Sequence, residues 1–308
     1  TPSLLLVSTS PASSFEGAGD FLIASDHPCG RHGEASMASA KRMCAISVDL
    51  DEIHNYHAIH GLNEPADTCA NLVYDLAIDR LADFAKSIGI PLTLFAVGAD
   101  LNRPENGARL KQMLNDGHEV ANHSLDHLYY LTKLSREEVF HQIVGGAQAI
   151  EDAVGQRPFG FRAPGYCVNQ NVMDAIVESG SIYDSSVFPC PMYYSAKAAK
   201  MGMIALRGRS SRSVVDHPHV LLSPTRPYRT GQQYYQRGEG LLEIPVQVTR
   251  GPRLPFIGTM LTMAGYAGAK WLTKLVIGEP VINLELHGID MLDESDGLED
   301  LHDHQPDV

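Results

Sequence analysis

The stretch CAISVDLDEIHNY, residues 44–56, begins as a buried strand should and then places two carboxylates, Asp49 and Asp51, where its apolar run ends. Ala45, Ile46 and Val48 are side chains that a sheet buries. Two readings are open on these residues alone. An ordinary strand emerging into solvent would end on acids, and so would a strand that delivers acids to a site at its C-terminal end.

Outward from this stretch, strand and helix patterns alternate. A loop after the opening strand leads to DTCANLVYDLAIDRLADFAKSIG, in which Leu72, Val73, Leu76, Leu81, Phe84 and Ile88 recur near helical spacing and Gly89 closes the helix. PLTLFAV (91–97) reads as a strand, NGARLKQMLNDG as a helix ended by Gly117, and HEVANHS as the next strand. SREEVFHQIVGGAQAIEDAVG opens with a capping box, Ser135 and Glu138, and ends at Gly155. FGFRAPG, the helix NQNVMDAIVESG and the strand SIYDSSV follow, then LLEIPVQV and PVINLELHG as strands around a helix near GYAGAKWLTKLVIG. Seven strands alternating with helices imply βα units and a mainly parallel sheet, closer to a barrel than to an open sheet. Residues 190–240 read as a long Pro/Tyr/Arg-rich connection, whose Tyr193, Tyr194, Tyr228, Tyr234 and Tyr235 suit a lid or a sugar-stacking wall. Residues 1–40 show no sustained period and are expected to be flexible or extraneous, with MASAK at Met37 reading as a translation start. Residues 41–308 then form one domain.

The 308 residues are 44% hydrophobic and 20% charged, enough apolar material for a sizeable core. A net charge of −13 argues against nucleic acid or an anionic membrane as partner, since both reward a basic face. No apolar run approaches the roughly 20 residues that span a bilayer, and SLLLVS lacks the length and basic flank of a secretory signal. Five scattered cysteines without a CxxC pair suit reduced thiols, so a cytoplasmic location is expected. The oligomeric state is not legible.

In parallel βα folds, sites gather at the carboxyl ends of strands. Asp49 and Asp51 stand at one such end, His123 and His127 at another, Arg162 in FRAPGY, Asp184 in YDSS and His287 in LELHG. His123 and His127 are spaced i and i+4, so one helical turn would place both imidazoles on one face. Two imidazoles and a carboxylate are a common donor set for a divalent transition metal, and Asp51 is the natural third ligand. Asp49 could then serve as a base, kept ionised and aimed by Arg162. His287 is either a satisfied core histidine or a general acid.

SVDLDE, HSLDH, RAPGY and LELHG stand in the order of, and resemble, the motifs of the polysaccharide deacetylases, the NodB-homology or family 4 carbohydrate esterases, over about residues 44–290. The resemblance implies a single catalytic domain with a distorted (β/α)7 barrel. It implies Asp49 as base, Asp51, His123 and His127 as ligands of one divalent ion, Arg162 as the support of Asp49, and His287 as acid. The usual ion is zinc, and cobalt, nickel or iron would accept the same ligands. Pro164, Gly165, Tyr166 and Asp184 fall where substrate contacts are expected, with Asp184 also placed to tune His287. The chain departs from the family in separating its first-motif aspartates by Leu50 and in lacking a clear aromatic fourth motif, Trp271 being its one tryptophan. Members normally continue with another helix and strand, so a C-terminal truncation is expected.

The chemistry so implied is metal-assisted hydrolysis of an N-acetyl or other N-acyl group on an amino sugar. A metal-bound water attacks, Asp49 takes its proton, a backbone N–H near Tyr166 helps hold the oxyanion, and His287 protonates the leaving amine. Three other readings stay open: a hydrolase of small ureides or formamides on the same scaffold, an inactive carbohydrate-binding relative, and a protein with a structural metal. Chitin oligomer, peptidoglycan, lipid-linked sugar and small amide are not separated by the sequence.

Overall fold

The computed structural model describes residues 7–8, 42–206, 208, 214, 218–302 and 304–305. The expectations for residues 1–40, including the start at Met37, lie outside the described residues except at Val7–Ser8.

Nine strands share one sheet: β1 (Val7–Ser8), β2 (Met43–Asp49), β3 (Leu92–Ala96), β4 (Glu119–Asn122), β5 (Gly160–Phe161), β6 (Tyr183–Asp184), β7 (Tyr228–Thr230), β8 (Arg237–Glu243) and β9 (Val281–His287). Seven of them run parallel in the spatial order β9-β2-β3-β4-β5-β6-β8, and these are the seven strands expected from the sequence. β1 and β7 are antiparallel additions, on β2 and β8. The sheet curls until the chain after β8 approaches β9. There the Gln247 N–H donates to Asn283 O at 3.2 Å, and Ile257 and Glu285 form a parallel bridge. The result is a distorted (β/α)7 barrel with sparse closure.

Eight α-helices accompany the strands among the described residues: α1 (Ile53–His60), α2 (Ile78–Ile88), α3 (Pro104–Asn115), α4 (Arg136–Val154), α5 (Gln170–Glu178), α6 (Pro191–Leu206), α7 (Gly258–Val276) and α8 (Glu299–His302). The Ser135–Glu138 capping box opens α4, and Gly155 closes it in the left-handed conformation at φ 81°. α2 ends likewise on Gly89 at φ 65°, but its expected first turn, Val73–Ala77, is a π-helix. Glu52 is part of the reason, since its buried carboxylate accepts the Val73 and Tyr74 N–H groups at 3.2 and 3.0 Å. Two connections differ from the sequence reading. The loop after β2 begins with α1, and the 190–240 connection holds α6 and β7.

Side chains alternate along the strands, and the alternation places the site. Ile46, Val48 and Leu50 pack with Tyr74, Leu81 and Leu94 in the main core between sheet and helices. Ser47, by contrast, lines the inside of the barrel with Arg162, Ser185 and Asn283. Asp49 and Asp51 share the parity of Ser47, which is why Leu50 must stand between them. Register then pairs Asp49 with His287 on one side and with Phe95 on the other, while Asn122 pairs with Phe161 and Phe161 with Asp184. The polar ends of these strands thus reach one level, at the carboxyl mouth of the barrel.

Candidate metal centre and active site

Asp51, His123 and His127 converge at the barrel mouth, all buried. Asp51 Oδ1 lies 3.3 Å from His123 Nε2, Asp51 Oδ2 lies 3.1 Å from His127 Nε2, and the two Nε2 atoms are 3.2 Å apart. The histidines do not share a helix, as the i, i+4 spacing suggested. Ser124 and His127 adopt left-handed backbone, φ 71° and 51°, and curl the segment into a loop. Such residues cost about 1–3 kcal/mol each unless the surroundings hold them. The Ser124 N–H donates to Asn122 Oδ1 at 3.0 Å and the His127 N–H to Ser124 Oγ at 3.2 Å, which fixes the curl.

Each imidazole is oriented through its other nitrogen. His123 Nδ1 donates to the Arg162 carbonyl at 2.8 Å, and His127 Nδ1 donates to Asn55 Oδ1 at 3.1 Å. Both Nε2 atoms therefore present lone pairs to one another and to a carboxylate. Asp51 Oδ1 has no hydrogen-bond partner among the described residues. These electron-rich atoms in buried contact form a donor set that fits a divalent metal. Titration points the same way. Burial opposes ionisation of Asp51, yet the two histidines outweigh it and hold the carboxyl well below its usual range. Burial also disfavours charge on both imidazoles. It lowers His127, whereas the Asp49 and Asp51 charges raise His123.

Beside this triad, Asp49 Oδ1 accepts from Arg162 Nη1 at 2.6 Å, while Asp49 Oδ2 lies 3.6 Å from His123 Nε2. Arg162 is fully buried. Its Nε donates to Ser185 O at 3.0 Å, its Nη2 to Ser47 Oγ at 2.8 Å and Ser185 Oγ at 2.9 Å, and its guanidinium sits 4.1 Å above the Phe95 ring. Burial works against that charge, but Asp49 and Glu285 nearby keep it protonated. His287 completes the set on the strand beside Asp49, in register with it and with a ligand atom within 4.8 Å of the Asp49 and Glu285 carboxylates. Its Nδ1 lies 3.0 Å from Glu285 Oε1, and its side chain keeps 19% of its surface exposed. Burial opposes a proton on His287, but Glu285, Asp51 and Asp49 outweigh it and push the imidazole well above its usual value.

Asp184 is not part of this group. It is fully buried, accepts from Ser186 Oγ at 2.6 Å, and faces Glu243, whose Oε1 accepts the Val187 N–H. Burial raises both carboxyls, with Glu243 raised further by the Asp184 charge. The acid beside His287 is Glu285. Asn283, Glu285 and His287 share one face of β9 by simple alternation, and that period is the signal that could have found Glu285. Asn55, the other unanticipated partner, sits one helical turn after Asp51 on α1 and carries no comparable mark.

A cavity of about 360 Å³ opens onto Asp51 and His287, with Tyr129, Gly165 and Tyr166 along its inner wall. Pro164 is buried at the head of the turn Pro164–Tyr166 and sets the entry of the chain into it. Gly165, at φ 59°, has room for no side chain, because a Cβ would stand 2.9 Å from the Tyr129 ring. The Tyr166 N–H donates to Ala163 O at 3.0 Å, so that amide is committed within the turn rather than offered to an oxyanion.

The fold and site together are a curled (β/α)7 barrel that carries an Asp-His-His donor set, a candidate metal site, and an Asp–Arg pair at its carboxyl mouth. Residues 68–181 match the family model described as polysaccharide deacetylase. The sequence is also 35% identical over 94 residues to a peptidoglycan-N-acetylglucosamine deacetylase of Listeria monocytogenes, covering 30% of this chain and 20% of that protein. It is 32% identical over 101 residues to a peptidoglycan-N-acetylglucosamine deacetylase of Bacillus cereus, covering 33% of this chain and 46% of that protein. These matches span less than half of the length of either relative. A crystal structure of a Mycobacterium smegmatis protein assigned as a polysaccharide deacetylase superposes with a TM-score of 0.50 at 19% identity, over 82% of this chain and 79% of that one, a likeness of fold. Residues 68–181 are thus similar to the polysaccharide deacetylases, and the chain as a whole shares a fold with the Mycobacterium smegmatis protein.

Proposed function

We propose that the chain is a metal-dependent hydrolase that removes an N-acetyl or related N-acyl group from an amino sugar. The observation that carries this reading is the facing pair of Nε2 atoms and the unpartnered Asp51 Oδ1, set directly beside an Arg-held Asp49 with His287 next to it. A divalent ion held by Asp51, His123 and His127 would acidify a water and polarise the acyl carbonyl. Arg162 fixes Asp49 Oδ1, which leaves Oδ2 turned toward the centre of the site to take the proton of the attacking water. His287, favoured in its protonated form by Glu285, faces the same cavity and would deliver a proton to the departing amine. Acetate and a free amine are the products.

Elemental analysis with an acetate-release assay on N-acetylglucosamine oligomers tests the reading. The wild type should bind about one divalent ion per chain and release acetate, and Asp51→Ala/His123→Ala should lose the ion. Asp49→Asn should retain the ion while turnover falls by about 10²–10⁴. Full activity in Asp49→Asn would remove Asp49 as base, and absence of metal after reconstitution would refute the whole assignment.

A further inference from the structure

The cavity that ends on Asp51 and His287 is walled mostly by hydrocarbon. Met192, Met201 and Ile204 of α6 face it from one side, and Ile257, Met260 and Met263 from the start of α7 on the other. α6 buries only Tyr194 among its sixteen residues and packs Tyr193 against the core beside it, which leaves Met192, Met201 and Ile204 to line the cavity. Met192 and Met263 both line the cavity and stay 42% and 62% exposed, which marks an apolar mouth. The two lysines in the wall are engaged, with Lys197 Nζ donating to Gly165 O at 3.2 Å and Lys200 Nζ to His304 O at 3.0 Å. His60 and Gln305 of the lining hydrogen-bond to each other, and Thr259 is one of few other polar groups beside the apolar walls. The outer part offers thioethers and branched alkyl groups, surfaces that adapt to a flexible chain.

We propose that the site takes an amphiphilic amide, whose polar head reaches Asp51 and His287 while an aliphatic chain lies between α6 and α7. The proposal rests on the deacylase reading for the identity of the head group, and the apolar walls supply the rest. The chain can belong to the acyl group or to a lipid carrier on the amine side, since both present the same hydrocarbon to the same walls.

Calorimetric titration of the zinc-loaded full chain with two ligand ladders tests it. One ladder is N-acyl glucosamines and the other alkyl glycosides of N-acetylglucosamine, each with chains from two to about ten carbons. Burying one methylene is worth about 0.8 kcal/mol, so Kd should tighten about fourfold per added carbon over the first part of one ladder. The ladder that responds identifies the source of the chain. Ile204→Gln/Met263→Gln, at two partly or largely exposed positions, should flatten that slope. Flat affinities in both ladders would overturn the proposal whatever the enzyme's activity. Acetate release from N-acetylglucosamine oligomers is scored in parallel. Release with flat ladders sinks the aliphatic channel alone, whereas steep ladders without any deacylation keep the channel and sink the deacylase reading.

Discussion

Glu285 decides what His287 can do at a pH where Asp49 must also be ionised. A base and an acid facing one reacting amide need opposite protonation states at the same pH, and an isolated imidazole would lose its proton near pH ~6.5. Glu285 is fully buried with its Oε1 3.0 Å from His287 Nδ1, so its carboxylate acts on the His287 ring and on Arg162. The folded pKa of His287 is raised, so its acid form survives to higher pH and is lost only as pH rises through that raised value. Glu285→Gln keeps the shape and removes the charge. The alkaline limb of kcat/KM should then move to lower pH, with activity lost on the alkaline side of the profile and kept on the acid side. A variant with a lower rate but an unmoved limb would assign Glu285 a merely structural part.

At the scale of elements, α4 is what holds the histidine loop in place. Gly146 sits where α4 crosses that loop, and a Cβ there would meet Asn122 Oδ1 at 2.4 Å and the Ser124 carbonyl carbon at 2.6 Å. The Gly-Gly pair inside a long helix is therefore a close approach of two backbones rather than a weak point of α4. Gly146→Ala must displace Asn122 or Ser124, the residues that fix the curl between His123 and His127. It should destabilise the fold by about 1–3 kcal/mol in urea unfolding and weaken zinc binding as well. Normal zinc affinity in a destabilised variant would show that the loop does not depend on this contact. The same elements show what a sequence discloses. β2 and β9 were legible because alternation and strand-end charges coincide in SVDLDE and LELHG. α1 is eight residues long and polar at His54, Asn55, His57 and His60, so no apolar stripe announces it. α6 shows no core-facing stripe, because its apolar groups point into a cavity, and the connection around it reads as loop. Asp184 was placed at the site because it ends a strand. A charge at a strand end says nothing about which side of the barrel wall it meets, and Asp184 meets Glu243.

For the whole molecule, the unusual choice is a polar barrel interior. Parallel barrels ordinarily fill this space with layers of branched apolar side chains. Beneath the mouth of this one lie Ser47, Thr93, Glu119, Arg162, Ser185 and Asn283. The upper members serve the site, since Arg162 can be buried only if Asp49, Ser47 and Ser185 satisfy it. Glu119, deeper in, has no such cation among the described residues. Its carboxylate accepts from Tyr183 Oη at 2.9 Å and Thr93 Oγ1 at 3.0 Å, and burial pushes its pKa from 4.5 to about 7. An acid raised on folding gives stability that is fully present below pH 4.5 and is lost as pH rises through about 7. Glu119→Gln carries no titrating group at this position. The wild type's stability relative to that variant should therefore fall by as much as about 3 kcal/mol between about pH 5 and about pH 8. Urea unfolding of both proteins at the two pH values measures the change, and taking the difference cancels every other titration they share. A pH-independent difference would mean that water or a cation reaches Glu119 from the barrel's lower end and lets it ionise freely. A fall of the expected size would mean that the interior supporting Arg162 excludes solvent down to Glu119, so that Asp49 and Arg162 interact in a medium where one ion pair can hold a catalytic carboxylate in place.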